Sequence, residues 1–235
     1  MKLDILKRLN EERRARRAAV LITDLADGAQ RLVRAAEIAA DPLADALDKQ
    51  LRMGKSASVE VEGRNYFLTV QAPPARLVVI GAVHVSQALA EMARLVDFDV
   101  TIVDPRTAFA SPERFPNVRV IAEWPDKVLP EIGVDAYTGI VALTHDPKID
   151  DPALNLALAA NCFYIGALGS KKTHAKRVER LTAAGFAPEQ IGRIHAPIGL
   201  DIGAVSPAEI AVSILAEIVL SLRKKPLRSE KEKAA

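Results

Sequence analysis

A doubly wound parallel α/β sheet, preceded by a small α+β domain with two hairpins, is the fold class this sequence predicts. Three observations predict it. From residue 77 onward, short β-branched apolar runs alternate with amphipathic helical stretches, the pattern of strands buried on both faces and covered by helices. The first run, Leu77-Val78-Val79-Ile80, ends at Gly81 and passes straight into a helical period, which is how a nucleotide-binding βαβ unit opens. Before residue 72, apolar runs come in pairs around Asp27-Gly28 and Glu62-Gly63, dipeptides that turn hairpins.

Taken in order, residues 2–17 read as a charged amphipathic helix with a weak stripe of Leu3, Ile5, Leu6 and Leu9. Its basic cluster, Arg13, Arg14, Arg16 and Arg17, reads as a solvated helix face. Residues 18–25 and 30–34 form the first hairpin. Asp41-Pro42 supplies an N-cap and a proline at N1 for a helix stopping near Gly54. Residues 57–61 and 66–70 form the second hairpin. Ala72-Pro73-Pro74 ends both helix and strand, so the predicted domains are 1–72 and 75–223, followed by a frayed charged tail at 224–235. In the second domain strands are expected at 77–80, 100–103, 118–121, 140–143, 163–167 and 194–195, and helices at 86–96, 152–160, 171–183 and 207–223. The last helix has the clearest start. Ser206 is its N-cap, Pro207 sits at N1, and Glu209 completes a capping box. Ile210, Ile214, Ile218 and Leu222 then repeat every fourth residue as a core stripe.

Composition narrows the function classes. The 235 residues are 49% hydrophobic and 26% charged, usual for a globular protein. With 32 Lys and Arg against 30 Asp and Glu, no bulk charge calls for nucleic acid or an anionic membrane. The single cysteine, Cys162, forms no intrachain disulfide and fits a reducing cytoplasm. Preceding the fifth strand of the second domain, it reads as a buried small hydrophobe. No run approaches a membrane span, and residues 1–17 lack the apolar core of a signal peptide. Four scattered histidines and one cysteine make no metal-ligand pattern.

Ligands of an open parallel sheet bind beyond the carboxyl ends of its strands, so the segments after each strand carry the candidate residues. After the first come Gly81, Ala82, Val83 and His84. A dinucleotide fingerprint has a second glycine where Val83 stands, so that the backbone can approach a pyrophosphate. His84 touches a ligand or caps the helix. The second strand ends at Asp104, about 20 residues on, where an acid accepts ribose hydroxyls or merely stabilises the turn. Arg106 beside it can pair with a phosphate. The fourth ends in Thr144, His145 and Asp146, more polar groups than a bland turn needs, with His145 able to donate a hydrogen bond or move a proton. The fifth ends in Gly166, Gly169, Ser170, Lys171 and Lys172. Two lysines at a helix start oppose the helix dipole, which makes this segment the strongest anion-site signal. The sixth leads to Asp201, which orients a ligand or serves as a turn carboxylate. No nucleophile–base pair stands out.

These segments carry a resemblance. Gly81–Val85, Val103-Asp104-Pro105-Arg106, Leu143-Thr144-His145-Asp146-Pro147-Lys148, Gly166-Ala167-Leu168-Gly169-Ser170, Thr173-His174-Ala175-Lys176-Arg177, His195–Gly203 and Pro207-Ala208-Glu209-Ile210-Ala211, in that order, resemble the XdhC/CoxI family, accessory factors of molybdenum hydroxylases such as xanthine dehydrogenase. The resemblance covers residues 76–223 and implies a Rossmann-like domain. It implies a ligand, the molybdenum cofactor as molybdopterin or its cytosine dinucleotide, held during sulfuration and passed to the target without turnover by the chaperone itself. It implies as partners an apo molybdenum hydroxylase and a cysteine desulfurase. The family's Gly-Ala-Gly-His is here Gly81-Ala82-Val83-His84, a departure that speaks against ordinary NAD(P) binding. Longer members carry a Gly-Gly-Cys segment, whereas residues 1–72 contain no cysteine. The chain thus looks like a short or divergent member, suited to act as companion to a full-length paralogue or as a homo-oligomer. Two alternatives stay open: an NAD(P)-dependent oxidoreductase using Asp104, and an assembly factor that binds only the apo-hydroxylase.

Overall fold

The structure, a computed structural model, describes residues 2–223; the tail expected at 224–235 lies outside the described residues. The chain divides into two compact units, one ending at Pro73 and rejoined by Arg223, the other Pro74–Leu222.

In the first unit, α1 (Leu3–Arg14) precedes β1 (Ala19–Asp24) and β2 (Gln30–Arg34). A 3-10 turn (Ala35–Ala40) leads to α2 (Ala44–Met53), β3 (Ala57–Val61) and β4 (Arg64–Gln71). Both expected hairpins form, and β1 also pairs with β4, giving one antiparallel sheet in the order β2-β1-β4-β3. Side chains alternate across a strand, so the two faces of β1 are covered by different helices. Ala19 and Leu21 meet Ile5 and Leu9 of α1, while Val20 and Ile22 pack with Leu43 and Leu47 at α2. Asp41 Oδ1 accepts from Leu43 N at 2.9 Å, and α2 starts later than expected because residues 41–44 first close a turn. It stops at Gly54, whose φ of 65° is a left-handed cap.

The second unit runs β5 (Arg76–Ile80), α3 (His84–Leu95), β6 (Asp99–Val103), β7 (Arg119–Ile121), α4 (Pro125–Ile132), β8 (Thr138–Ala142), α5 (Pro147–Ala159), β9 (Tyr164–Ala167), α6 (Lys171–Ala183), α7 (Pro188–Ile191), β10 (Ile194–His195) and α8 (Pro207–Arg223). All six expected strands are present and parallel, in the order β10-β9-β8-β5-β6-β7. Leu77 and Val79 face a layer containing Leu89 of α3 and Ile214 and Ile218 of α8. Val78 and Ile80 face the opposite layer, with Leu154 and Leu158 of α5 and Leu181 of α6. Burial on both faces explains why these strands read as unbroken apolar runs. The order reverses between β5 and β8, so their carboxyl ends border the crevice where doubly wound sheets take ligands.

Helices α4 and α5 of this unit, and the short α7, depart from the sequence reading. Helix α5 begins at Pro147, not 152: Asp146 is its N-cap, Pro147 sits in its first turn, and Pro152 lies inside. Helix α4, with Pro125 in its first turn and Pro130 inside it, is not anticipated from the sequence.

Candidate functional site

The first βα turn is built from donors and acceptors that satisfy one another. Gly81 has φ +112°, and a Cβ there would lie 2.8 Å from Thr144 Cγ2. Only glycine lets the turns after β5 and β8 approach so closely. Asp104 is fully buried. Its Oδ2 accepts from Ala82 N at 2.8 Å, and its Oδ1 accepts from Arg106 N at 2.9 Å. Arg106 adds a forked pair, Nε to Oδ1 at 2.9 Å and Nη2 to Oδ2 at 2.7 Å. Burial pushes the Asp104 carboxyl up, but the Arg106 and Ala82 bonds outweigh it and hold its pKa below the usual range. Val83 N donates to Ser86 Oγ at 2.8 Å, and the Val83 side chain packs on the apolar layer below. His84 is exposed at the start of α3.

After β8 the chain wraps a carboxylate that the sequence did not single out. Asp150, 2% exposed, accepts from Thr144 Oγ1 at 2.7 Å, Thr144 N at 3.3 Å and His145 N at 3.1 Å. His145 adopts φ +61°, a left-handed bend that accompanies the direction of its amide toward Asp150. Burial raises the Asp150 pKa against the pull of those bonds and of Arg177. Asp146 caps α5 by accepting from Lys148 N at 2.9 Å.

After β9, Gly166 is pressed by Ile198, whose Cδ1 would collide with a Cβ there. Gly169 adopts φ +133°, and Ser170 Oγ caps α6 by accepting from Thr173 N at 3.2 Å. A cleft of about 290 Å³ opens between the start of α5 and one face of α6. His145 and Asp150 line one side; Lys172, Lys176, Arg177 and Arg180 line the other. The 3.6-residue period puts these four α6 residues on one face. Arg180 is engaged by Asp151, at 2.5 Å from Nε and 3.0 Å from Nη2. Arg177 is 2% exposed. Its Nη2 donates to Leu168 O at 2.9 Å, and its Nε and Nη1 have no partner among the described residues. Burial depresses its pKa, against the attraction of Asp150 and Asp151.

A further, partly buried polar cluster lies at β10. His195 Nδ1 is 3.0 Å from Glu217 Oε1. Glu217 Oε2 accepts from Tyr164 Oη at 2.6 Å and from Gly199 N at 2.9 Å. A carboxylate only accepts, so Nδ1 carries the proton. The His195 ring stacks on Tyr164 with centroids 4.7 Å apart. Asp201 is exposed beyond this cluster.

Of the residues singled out in the sequence, His145 and Lys172 meet in the cleft. Gly81 meets Thr144, and Asp104 joins Ala82 to Arg106. Arg106 feels the charges of Asp146 and Asp150, which links the two groups across the crevice. Lys171, His84 and Asp201 lie outside the cleft lining. Sequence reasoning missed Asp150, Arg177 and Glu217. Each sits within a helix, where a charged residue reads as solvent-facing; Arg177 entered only within the Thr173–Arg177 segment of the resemblance, with no role attached to it. Cys162 is buried, and its thiol pKa is pushed up by that burial. Among the described residues, no group of three or more His, Cys, Asp or Glu is placed to hold a metal ion, and no helix is long and apolar enough to cross a membrane.

Known proteins share this architecture. A crystal structure described as a xanthine dehydrogenase from Bacillus halodurans is similar with a TM-score of 0.68 over 98% of this chain and 68% of that one. At 22% identity that likeness bears on the fold alone. Curated relatives are an uncharacterized protein, YqeB, of Escherichia coli (34% identity over 155 residues, covering 65% of this chain and 28% of the relative), and a probable xanthine dehydrogenase subunit of Bacillus subtilis (34% over 156 residues, 66% and 45%). A third is the molybdenum cofactor insertion chaperone PaoD of Escherichia coli (32% over 146 residues, 62% and 40%). The chain thus spans less than half the length of these curated relatives. The XdhC Rossmann domain matches residues 77–218, a stretch that holds all but the first residue of the parallel sheet and the whole cleft lining, and the chain belongs to that family.

Proposed function

We propose that this protein is an accessory factor that binds the molybdenum cofactor, as molybdopterin or its cytosine dinucleotide. It shields the cofactor during sulfuration and helps insert it into a molybdenum hydroxylase of the xanthine dehydrogenase type. The apo-hydroxylase and a cysteine desulfurase are its partners in this reading, and a longer paralogue or a second copy is a further one. The observation that carries it is the division of labour across the crevice. On the β5 side, the amides of Ala82 and Val83 are taken by Asp104 and Ser86, and Val83 occupies the position where a pyrophosphate needs glycine. That speaks against an NAD(P)-dependent oxidoreductase. On the β8–β9 side a cationic cleft stays open, suited to an anionic ligand. The buried, partly unpartnered Arg177 fits a group that carries phosphate. The cofactor supplies the redox-active metal; the chain's part is to bind, orient and shield it. Lys172, Lys176 and Arg177 are assigned to its anionic end. Gly81, Thr144, His145 and Gly169 frame the crevice, and Lys171 stands at its outer margin. Membership of the XdhC Rossmann domain family and similarity to an insertion chaperone support the reading.

The test is the molybdenum and pterin content of protein purified anaerobically from cells that make the cofactor, beside a Lys171→Glu, Lys172→Glu variant. Near-stoichiometric pterin in the first and none in the folded second is expected. No pterin in either defeats the reading, and saturable NADPH binding lost in Asp104→Ala would favour the oxidoreductase.

A further inference from the structure

The cleft between α5 and α6 contains a feature that folding alone does not explain. A guanidinium withdrawn from water is costly unless its N–H groups find acceptors. Arg177 is 2% exposed, and its Nη2 donates to Leu168 O while Nε and Nη1 stay unmatched among the described residues. The nearest carboxylate with charge to offer, Asp150, spends its oxygens on Thr144 and His145. Lys172 and Lys176 line the same cleft from one turn apart. With Arg180 engaged by Asp151, the three remaining cations, Lys172, Lys176 and Arg177, face the single charge of Asp150. That excess matches a dianion better than a lone carboxylate.

Size narrows the ligand further. At about 290 Å³ the cleft is at the small end of ligand pockets. It holds a phosphate and the first atoms of what the phosphate esterifies, but not a whole dinucleotide. We propose that this cleft is a phosphomonoester subsite in which Arg177 supplies the buried donors, Lys172 and Lys176 supply the outer charges, and the organic part of the ligand extends along the rim. The subsite lies across the crevice from the β5–α3 turn, where a dinucleotide fold ordinarily seats its phosphates. It deepens the cofactor reading by naming the end of the ligand that enters first, yet it requires only the phosphate.

The test is calorimetric titration of the full chain with inorganic phosphate and, separately, with phenyl phosphate. Saturable binding in the millimolar range is expected for inorganic phosphate, and tighter binding for phenyl phosphate. Lys172→Ala with Lys176→Ala, both exposed positions, should bind phenyl phosphate roughly tenfold more weakly or worse at unchanged circular dichroism. Lys127→Ala on α4, which removes a surface cation paired with Glu123, should bind as the parent does. Arg177→Gln should abolish binding if it folds; the lysine pair keeps the test decisive if it does not. Absence of saturable binding by the parent chain, or equal affinity in the lysine double variant, overturns the subsite. Inorganic phosphate bound as tightly as phenyl phosphate would also overturn it, in favour of a site for the free ion. Pterin that copurifies undiminished with the lysine double variant would remove the subsite and leave the cofactor reading standing. Phosphate binding by a protein that never carries pterin would do the reverse.

Discussion

Gly81 and Gly28 both adopt positive φ, yet their surroundings separate them. A Cβ at Gly28 meets nothing within 4 Å, whereas one at Gly81 meets Thr144 Cγ2 at 2.8 Å and Thr144 N at 3.3 Å. Gly28→Ala should therefore cost about 1 kcal/mol, the strain of a left-handed alanine. Gly81→Ala should cost about 3 kcal/mol, because overpacking adds to that strain. Urea unfolding of the two variants checks this, and equal costs would mean that the crevice wall relaxes freely. At this scale the sequence was partly legible. Glycines, caps and loop polarity announce themselves through backbone chemistry, so Gly169, Ser170 and Lys172 could be picked out from their neighbours alone. Arg177 and Asp150 could not. Their roles arise because a helix brings one to the end of β9 and a left-handed bend turns amides onto the other, and neither event leaves a local signature.

Helix α8 is held to the sheet by more than its isoleucine stripe. Glu217 reaches from it to Tyr164, His195 and the amide of Gly199. Burial raises the Glu217 pKa, but the bonds from His195, Tyr164 and Gly199 prevail and hold it below the ordinary glutamate value. A carboxyl with a depressed folded-state pKa contributes stability above its unfolded pKa and loses it as pH falls through the folded one. Glu217→Gln should therefore cost about 2 kcal/mol near neutrality, the worth of hydrogen bonds to a charged group. The gap between the two proteins should narrow as both are acidified below the carboxylate range. Denaturant unfolding across that range is the measurement; a constant gap would mean that Glu217 holds α8 without its charge. Elements were legible where one signal dominated. The capping box of α8 and the paired hairpin turns are such cases. From the sequence, helix α5 reads as starting at Pro152 because proline marks a first turn so strongly. Pro147, after the Asp146 cap, is the real start, and Pro152 is tolerated inside it. Helix α4 carries Pro130 in its interior, a residue that argues against the helix that packing nevertheless forms.

The two units have separate cores: one antiparallel sheet is lined by Val20, Ile22, Leu47 and Leu68, and one parallel sheet is sandwiched between two helical layers. A fragment of residues 74–223 should therefore unfold in a single cooperative transition with its helical signal retained. Circular dichroism during urea titration tests this; a gradual, non-cooperative loss would mean that the core of the parallel sheet is incomplete without the rest of the chain. The fold class was legible because alternation of buried strands and helices is a whole-chain pattern that local misreadings do not erase. The reversal of strand order between β5 and β8 is not written in any segment. It follows from right-handed crossovers laid on both faces of the sheet, and it decides which loops meet. The margins of that sheet have a further consequence. They are β7, with three residues, and β10, with two. Margins so brief leave few unpaired amides and carbonyls for a foreign strand to join. Brevity guards this part of the molecule against edge-to-edge aggregation, and the exposed Arg119 adds a charge to β7. The outer strands of the smaller sheet, β2 and β3, are longer at five residues each and carry charge as well, Arg31 and Arg34 on one and Glu60 on the other.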